Sequence, residues 1–257
     1  MVYVKYKKHG ISIGHLWFAE SIINESKPDI LYKHGQDKMG GGYDTVQYTL
    51  ITDLTENEEN IYKKIRKNYR YEIRHVEKEN VKLEFYSAKE MSEKRELMSS
   101  FATTYNQMYA SKGMNAKFNM PLMKEYIRKN AICFTIAYYN GEPLVFHSYI
   151  VDKNNARFFY SASPFREKKD VATIIGQMNK ALHWFDIKTF RNMGITQYDW
   201  GGIANPEEPN GIDQFKMGFG GETTSYYNVM IGVSLLGKIA LSSMKAKEKL
   251  YKYVRKE

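Results

Sequence analysis

One cysteine, six prolines and no long apolar run narrow the possibilities for this chain before any motif is read. The single Cys133 excludes an internal disulfide, and its place inside an apolar run marks it as a reduced packing residue. No apolar stretch approaches the roughly 18 to 20 residues needed to span a bilayer. The opening Met1-Val-Tyr-Val-Lys-Tyr-Lys-Lys8 lacks the apolar centre of a secretory signal, so a cytoplasmic protein with no membrane span is expected. No Pro/Gly/Ser linker divides the chain, no repeat recurs and nothing is low-complexity. No cluster of His, Cys, Asp and Glu has metal-ligand spacing, so no metal is expected, and no serine nucleophile elbow is present.

What is present in excess is tyrosine and positive charge. Twenty-one tyrosines give much of the apolar surface a hydroxyl that can reach water or a polar ligand. The net charge of +9 divides as +1 over residues 1–90, +5 over 91–170 and +3 over 171–257. The last twenty residues hold seven Lys or Arg against two Glu. Such a diffuse excess suits a phosphate-bearing ligand (a CoA, a nucleotide sugar, an RNA) or a solvated surface that keeps the chain soluble.

Periodicity predicts a mixed α/β order. Strand-like pieces at Val2–Tyr6 and Val46–Thr52 flank the turn Met39-Gly-Gly-Gly42, which precedes a strand and so does not fit a phosphate-cradling loop. Thr55 and Glu58 read as a capping box for a helix carrying Ile61, Ile65, Tyr69, Ile73 and Val76 on one face, with Lys63, Lys67, Arg70, Arg74 and Lys78 opposite. That basic face is a solvated surface or a site for acceptor phosphates. A strand at Val81–Tyr86 follows, then a helix opened by Ser87 and Glu90, then one starting at Asn119. Three strands, Ala131–Tyr139, Pro143–Val151 and Ala156–Ser163, read as a meander whose first turn is Asn140-Gly141. Asp170 is the expected cap of a long helix ending at Gly194. A strand at Ile195–Trp200, a short helix near Ile212–Met217, a β pair within Glu222–Val233 and a basic helix Leu235–Arg255 complete the order.

Two segments could carry chemistry. The turn Ser161-Ala-Ser-Pro-Phe-Arg-Glu-Lys-Lys-Asp170 enters the long helix, where backbone N–H groups and a partial positive charge favour an anion. Arg166, Lys168, Lys169, Asp170 and Val171 are the expected pyrophosphate contacts there, and Ser161 and Ser163 are candidates for the acceptor or donor phosphates. The second segment reads Tyr198-Asp-Trp-Gly-Gly-Ile203 and then Gly211-Ile-Asp-Gln-Phe-Lys-Met-Gly-Phe-Gly-Gly-Glu222. Paired glycines after a strand let backbone approach a ligand or a neighbouring chain, and Lys216 lies between aromatics where it can be partly desolvated.

Tyr-Asp-x-Gly-Gly followed by Gly-x-x-x-Phe-Lys-x-x-Phe-Gly-Gly resembles the C-terminal signature of the Fem-type peptidyltransferase branch of the GCN5-related acetyltransferase (GNAT) superfamily. The likeness extends over roughly residues 46–233. It implies a GNAT fold, a mixed central sheet flanked by helices, with a partial N-terminal GNAT-like subdomain at 1–80 and an acyltransferase core at 81–257. It implies an acyltransferase using acyl-CoA as co-substrate, or aminoacyl-tRNA as in the Fem-type enzymes; the lack of a serine elbow and of metal spacing adds the expectation of direct transfer with no covalent enzyme intermediate. Lys216 maps to the lysine assigned in the family to charge at the reacting carbonyl. The usual Arg/Gln-x-x-Gly-x-Gly/Ala loop is missing before the long helix, and too little chain precedes the core for a complete first domain. That shortness favours a CoA donor and a smaller acceptor, an amino sugar linked to a nucleotide for surface polysaccharide, over a peptidoglycan precursor. His147 and Asp199 are the competing base candidates. His183 and Asp186, three apart on the long helix, could pair, and His183, Gly201 and Gly202 complete the expected acceptor contacts. A non-catalytic domain binding a phosphorylated ligand or polyanion is the reading outside catalysis.

Overall fold

Strand signals of period two and helix signals of period 3.6 alternate along the chain, and among its described residues the computed structural model realises them as ten strands and eight α-helices. It describes residues 1–21 and 25–254, with side chains described up to residue 246 at the C-terminal end. In order these are β1 (Val2–Lys8), β2 (Ile11–Trp17), β3 (Ile30–Gln36), β4 (Tyr43–Asp53), α1 (Glu58–Lys64), α2 (Lys67–Val76) and β5 (Val81–Ser87). Then come α3 (Ala88–Glu93), α4 (Arg95–Ser111), α5 (Met120–Arg128), β6 (Ile132–Tyr139), β7 (Glu142–Val151) and β8 (Asn155–Ala162). Last are α6 (Ala172–Asn192), β9 (Gln197–Asp199), α7 (Gly211–Met217), β10 (Glu222–Gly232) and α8 (Leu235–Val254). Arg255, the expected end of the last helix, lies outside the described residues.

The chain divides into two compact units, 1–47 with 225–257, and 48–224. This differs from the expected boundary at residue 80. Leu50, Leu54, Ile61, Ile65, Tyr69 and Ile73 share one apolar core with Trp184, Ile187, Trp200 and Phe219, so burial ties residues 48–80 to the larger unit.

In the smaller unit β1 pairs antiparallel with β2, β2 parallel with β3, and β3 antiparallel with β10. Tyr3, Leu16 and Leu31 form its core. Asp29 ties the loop before β3 to both ends of the unit: Ser12 donates to Oδ2 through N at 2.8 Å and Oγ at 2.6 Å, and Ser234 Oγ donates to Oδ1 at 2.5 Å. Those donors hold its carboxyl down at about 2.

In the larger unit β4 pairs antiparallel with β9, β9 parallel with β8, and β8, β7, β6 and β5 follow as an antiparallel meander. Asn140 and Gly141 both have positive φ, 50° and 83°, as a tight two-residue hairpin requires. Alternation on β7 sorts side chains between two helical layers. Phe146 stacks on Phe101 of α4, whereas His147 and Tyr149 face α6, where both meet Asp186. The meander is therefore a sheet with helices on both faces, which buries all of β6 up to Ala137.

Two expected helix starts carry their expected side-chain caps. Ser87 and Glu90 form a reciprocal capping box, and Asn119 Oδ1 accepts from Leu122 N at 3.2 Å. Thr55 does not cap α1; Asn57 does, while the Thr55 hydroxyl donates to Asp53. The expected long helix 55–76 breaks after Lys64, because Arg66 N–H donates to Gly218 O at 2.8 Å instead of continuing the helical ladder. The helix after Ser87 breaks likewise at Lys94. Asp170 is not a cap: Lys169–Val171 form a 3₁₀ turn, and α6 starts behind Val171 with no side-chain cap. The expected β pair in 222–233 is one strand, β10.

Candidate functional site

The parallel ladder between β8 and β9 is short. It pairs Asn155, Ala156 and Arg157 with Gln197, Tyr198 and Asp199. Past that point β8 continues to Ala162, while the chain after β9 turns to β4, Ile203 N donating to Tyr48 O at 2.8 Å. The two strands therefore part beyond Gly201, and the sheet opens there.

Gly201 and Gly202, with φ of 77° and 106°, make that departure possible. A Cβ on Gly201 would overlap the Phe158 carbonyl oxygen, which is backbone and cannot turn aside. Gly201→Ala is therefore expected to destabilise the chain by about 1–3 kcal/mol through strain and overlap. A urea midpoint within error of the parent would show that this approach is not tight.

Asp199 at the end of β9 is fully engaged. Arg157 NH1 donates to Oδ2, and Thr49 Oγ1 at 2.5 Å and Gly201 N at 2.9 Å donate to Oδ1. Behind it, α7 is held by Asn210, which accepts from Ile212 N and Asp213 N, and by Asp213, which accepts from Ala204 N at 3.1 Å and Asn210 N at 3.2 Å. This second capping box points Lys216 into the opening, where Nζ donates to Gly202 O at 2.6 Å. Lys216 is only 9% exposed. Burial and then the Arg157 charge push its ammonium down to about 8, against the pull of Asp199 and Asp213.

Under the opening lies a buried polar chain on α6, β7 and β9. His147 Nδ1 is 2.8 Å from Asp186 Oδ2, and the Tyr149 hydroxyl donates to the same oxygen. Tyr149 and Tyr198 hydroxyls are 2.8 Å apart, and His183 Nδ1 is 2.8 Å from Tyr198. His147 Nε2 is 2.8 Å from Asn179 Oδ1, on the half-exposed side of the helix. His183 and Asp186 thus connect through two tyrosines and not directly. His147, His183 and Asp186 could hold a metal ion by proximity alone, their ligand atoms lying within 4.8 Å of one another. The Tyr149 and Tyr198 hydroxyls already bridge these atoms, so the donor set reads as a hydrogen-bonded relay. Cys133 is buried, and burial raises its thiol far from reactivity.

The structure brings Lys216, Gly202, Gly201 and Asp199 into contact, and His147 beside His183, ring centres 4.2 Å apart. Ser161 sits opposite His147 across the β7–β8 ladder. The expected anion contacts are more scattered. Pro164 O accepts from Glu167 N and Lys168 N in a turn, Lys168 pairs with Glu142, and burial and then the Arg166 charge lower the proton affinity of Lys112. Ser163 opens that turn, and Lys169, Asp170 and Val171 form the 3₁₀ entry to α6. The first turn of α6 carries no acidic side chain, so its N–H dipole end faces the turn uncompensated. Sequence reading missed Arg157, Tyr149, Asn179 and Thr49. Two-residue spacing of His147 and Tyr149 on a strand, and three-residue spacing of His183 and Asp186 on a helix, were the available signals that each pair shares a face.

No protein-family model matches the sequence, and no curated protein matches it. Solved structures match the fold. The C-terminal domain of a candidate lysylphosphatidylglycerol synthetase from Agrobacterium fabrum aligns over 84% of this chain and 71% of its own, at 10% identity and TM-score 0.57. FemX aligns over 78% of this chain and 66% of its own, just under two thirds, at 14% identity and TM-score 0.56. L-PGS from Bacillus licheniformis aligns over 84% and 72%, at 11% identity and TM-score 0.52. At such identities the likeness is one of fold, a GNAT/Fem-like mixed α/β architecture. Among the described residues no helix is long and apolar enough to cross a membrane.

Proposed function

We propose that this chain is a direct acyltransferase that moves an acyl group from acyl-CoA to the amine of a nucleotide-linked amino sugar, for a bacterial surface polysaccharide. One observation carries the transfer: the sheet opens between β8 and β9 where a mostly buried Lys216 ammonium, lowered to about 8, stands over a buried chain of proton carriers. A thioester lying in that opening would present its carbonyl to Lys216, which stabilises the oxyanion formed on attack. Asp199, its oxygens occupied, acts as the anchor that holds Arg157 and Gly201 in place and not as the base. The N-terminal end of α6, with Arg166, Lys168 and Lys169 around it, would take the donor's pyrophosphate. The exposed basic face of α2, with Lys67 and Arg74, and Lys78 just beyond its end suit phosphates on the acceptor.

Aminoacyl-tRNA as donor, with a peptidoglycan precursor as acceptor, is the second reading, and the shared fold with FemX favours it. Thermal shift with CoA, a UDP-amino sugar and tRNA separates the two. Stabilisation by CoA, together with thiol release from acetyl-CoA when an amino sugar is added, is expected. Stabilisation by tRNA alone would move the donor to the second reading. Binding of polyanions of every kind with no transfer would make the chain a binding domain.

A further inference from the structure

The buried chain has a direction, and the direction follows from which atoms can donate. Asp186 accepts two hydrogens at Oδ2, from His147 Nδ1 and from the Tyr149 hydroxyl. With its one hydrogen donated to Asp186, Tyr149 must accept from Tyr198, and Tyr198 must then accept from His183. The hydrogen of His183 is thereby fixed on Nδ1, leaving Nε2 as a bare lone pair. Among the described residues nothing hydrogen-bonds to that nitrogen.

The surroundings keep the ring neutral. Rings of Trp200, Phe158, Phe219 and Phe215 enclose it, with centres 4.7, 4.9, 5.4 and 5.6 Å away. Burial lowers its proton affinity first, and His147 and Lys216 lower it further. The charged or titratable groups facing it are therefore His147, Asp186, Tyr149, Tyr198 and Lys216, the last being the group assigned to the oxyanion.

We infer that His183 Nε2 takes the proton of the attacking amine, with Tyr198 and Tyr149 as positioning residues that pass a proton on to Asp186. This rests on the acyl-transfer reading. The amine lone pair forms the bond to the acyl carbon, and its proton goes to Nε2 while the N–H electrons stay on nitrogen. The Nδ1 proton moves to Tyr198, the Tyr198 proton to Tyr149 and the Tyr149 proton to Asp186. The outcome is a tautomer change in His183 and one proton on Asp186, so no imidazolium is stranded among the aromatic rings. The carbonyl π pair becomes the oxyanion beside Lys216, then re-forms the double bond as the C–S pair leaves with the thiolate. Running the relay backward protonates that thiolate and restores the resting state.

Two measurements on the full chain test this. ¹⁵N NMR of the imidazole nitrogens at pH 7 should show His183 neutral with hydrogen on Nδ1, and Tyr198→Phe should shift hydrogen toward Nε2. With acetyl-CoA and a UDP-amino sugar as probes, His183→Asn should lower kcat about 10²- to 10⁴-fold with KM little changed. Tyr198→Phe, which keeps the ring packing, should lower kcat about 10-fold and carries the kinetic test if His183→Asn does not fold. A resting ring with hydrogen on Nε2 overturns the inference, as does full turnover by the folded variants. Wild-type chain that releases no thiol with any amine tried is a different failure, of the transfer reading itself, and removes the base role with it.

Discussion

Replacing Lys216 by alanine lowers kcat/KM by about 10²- to 10³-fold, the usual loss when one oxyanion donor is removed. The position argues for a loss of that size. Nζ is held at 2.6 Å from Gly202 O in a nearly dry site, so its charge acts with little solvent screening and needs little reorganisation. The sign of its pH dependence follows from the lowered value. At pH 7 a group titrating at about 8 is about nine-tenths protonated, and the charge that stabilises the oxyanion is present. As pH rises through about 8 the proton leaves, and kcat/KM falls on the alkaline side with a midpoint near that value. Lys216→Arg keeps its proton at any accessible pH, so the alkaline limb disappears whatever the absolute rate. A pH–rate profile of wild type, Lys216→Ala and Lys216→Arg decides it. An alkaline limb that survives in the arginine variant assigns the titration to another group. An alanine variant at full rate ends the oxyanion role.

How much of this could be read in the sequence depends on the range of the interaction. Features encoded within a few residues were legible: the Ser87–Glu90 capping box, the Asn119 cap and the Asn140-Gly141 turn. The stretch from Tyr198 to Glu222 stands out locally because its glycines and a lysine set between aromatics are close neighbours in the chain. β2 and β3 were not read, since His15 and Gly14 interrupt one and Lys33, His34 and Gly35 the other, and their parallel pairing is fixed by the fold around them. Thr55 and Glu58 have the spacing of a capping box, yet Asp53 takes the Thr55 hydroxyl and the cap falls to Asn57. Asp199 looked like a base at a strand end. Its partners Arg157 and Thr49 come from far away in the chain, so nothing nearby showed that its oxygens are filled. The relay is the extreme case: each link joins a strand to a helix or to another strand, and only the same-face spacing of its members is local.

That relay makes Asp186 the second large effect, this time on stability. Asp186→Ala is expected to cost about 3–5 kcal/mol, the range for removing one partner of a buried charged pair. Its Oδ2 accepts from both His147 and Tyr149, and both groups are fully buried, out of reach of bulk solvent. Its other oxygen, Oδ1, is buried with no partner among the described residues, a desolvation cost that the two donors on Oδ2 must offset. Removing it strands two donors and opens a small cavity between α6 and β7, and those penalties add. Tyr149→Phe strands less, a carboxylate with His147 still bound and a Tyr198 hydroxyl without its acceptor, and should cost about 1–3 kcal/mol. The double variant should cost clearly less than the two singles together, because each single already breaks the bond the other would break. Urea midpoints at constant m measure all three. Strict additivity would mean that Asp186 and Tyr149 do not share a bond in solution. An Asp186→Ala cost below about 1 kcal/mol would mean that the carboxylate is not what the buried tyrosines and histidines converge on.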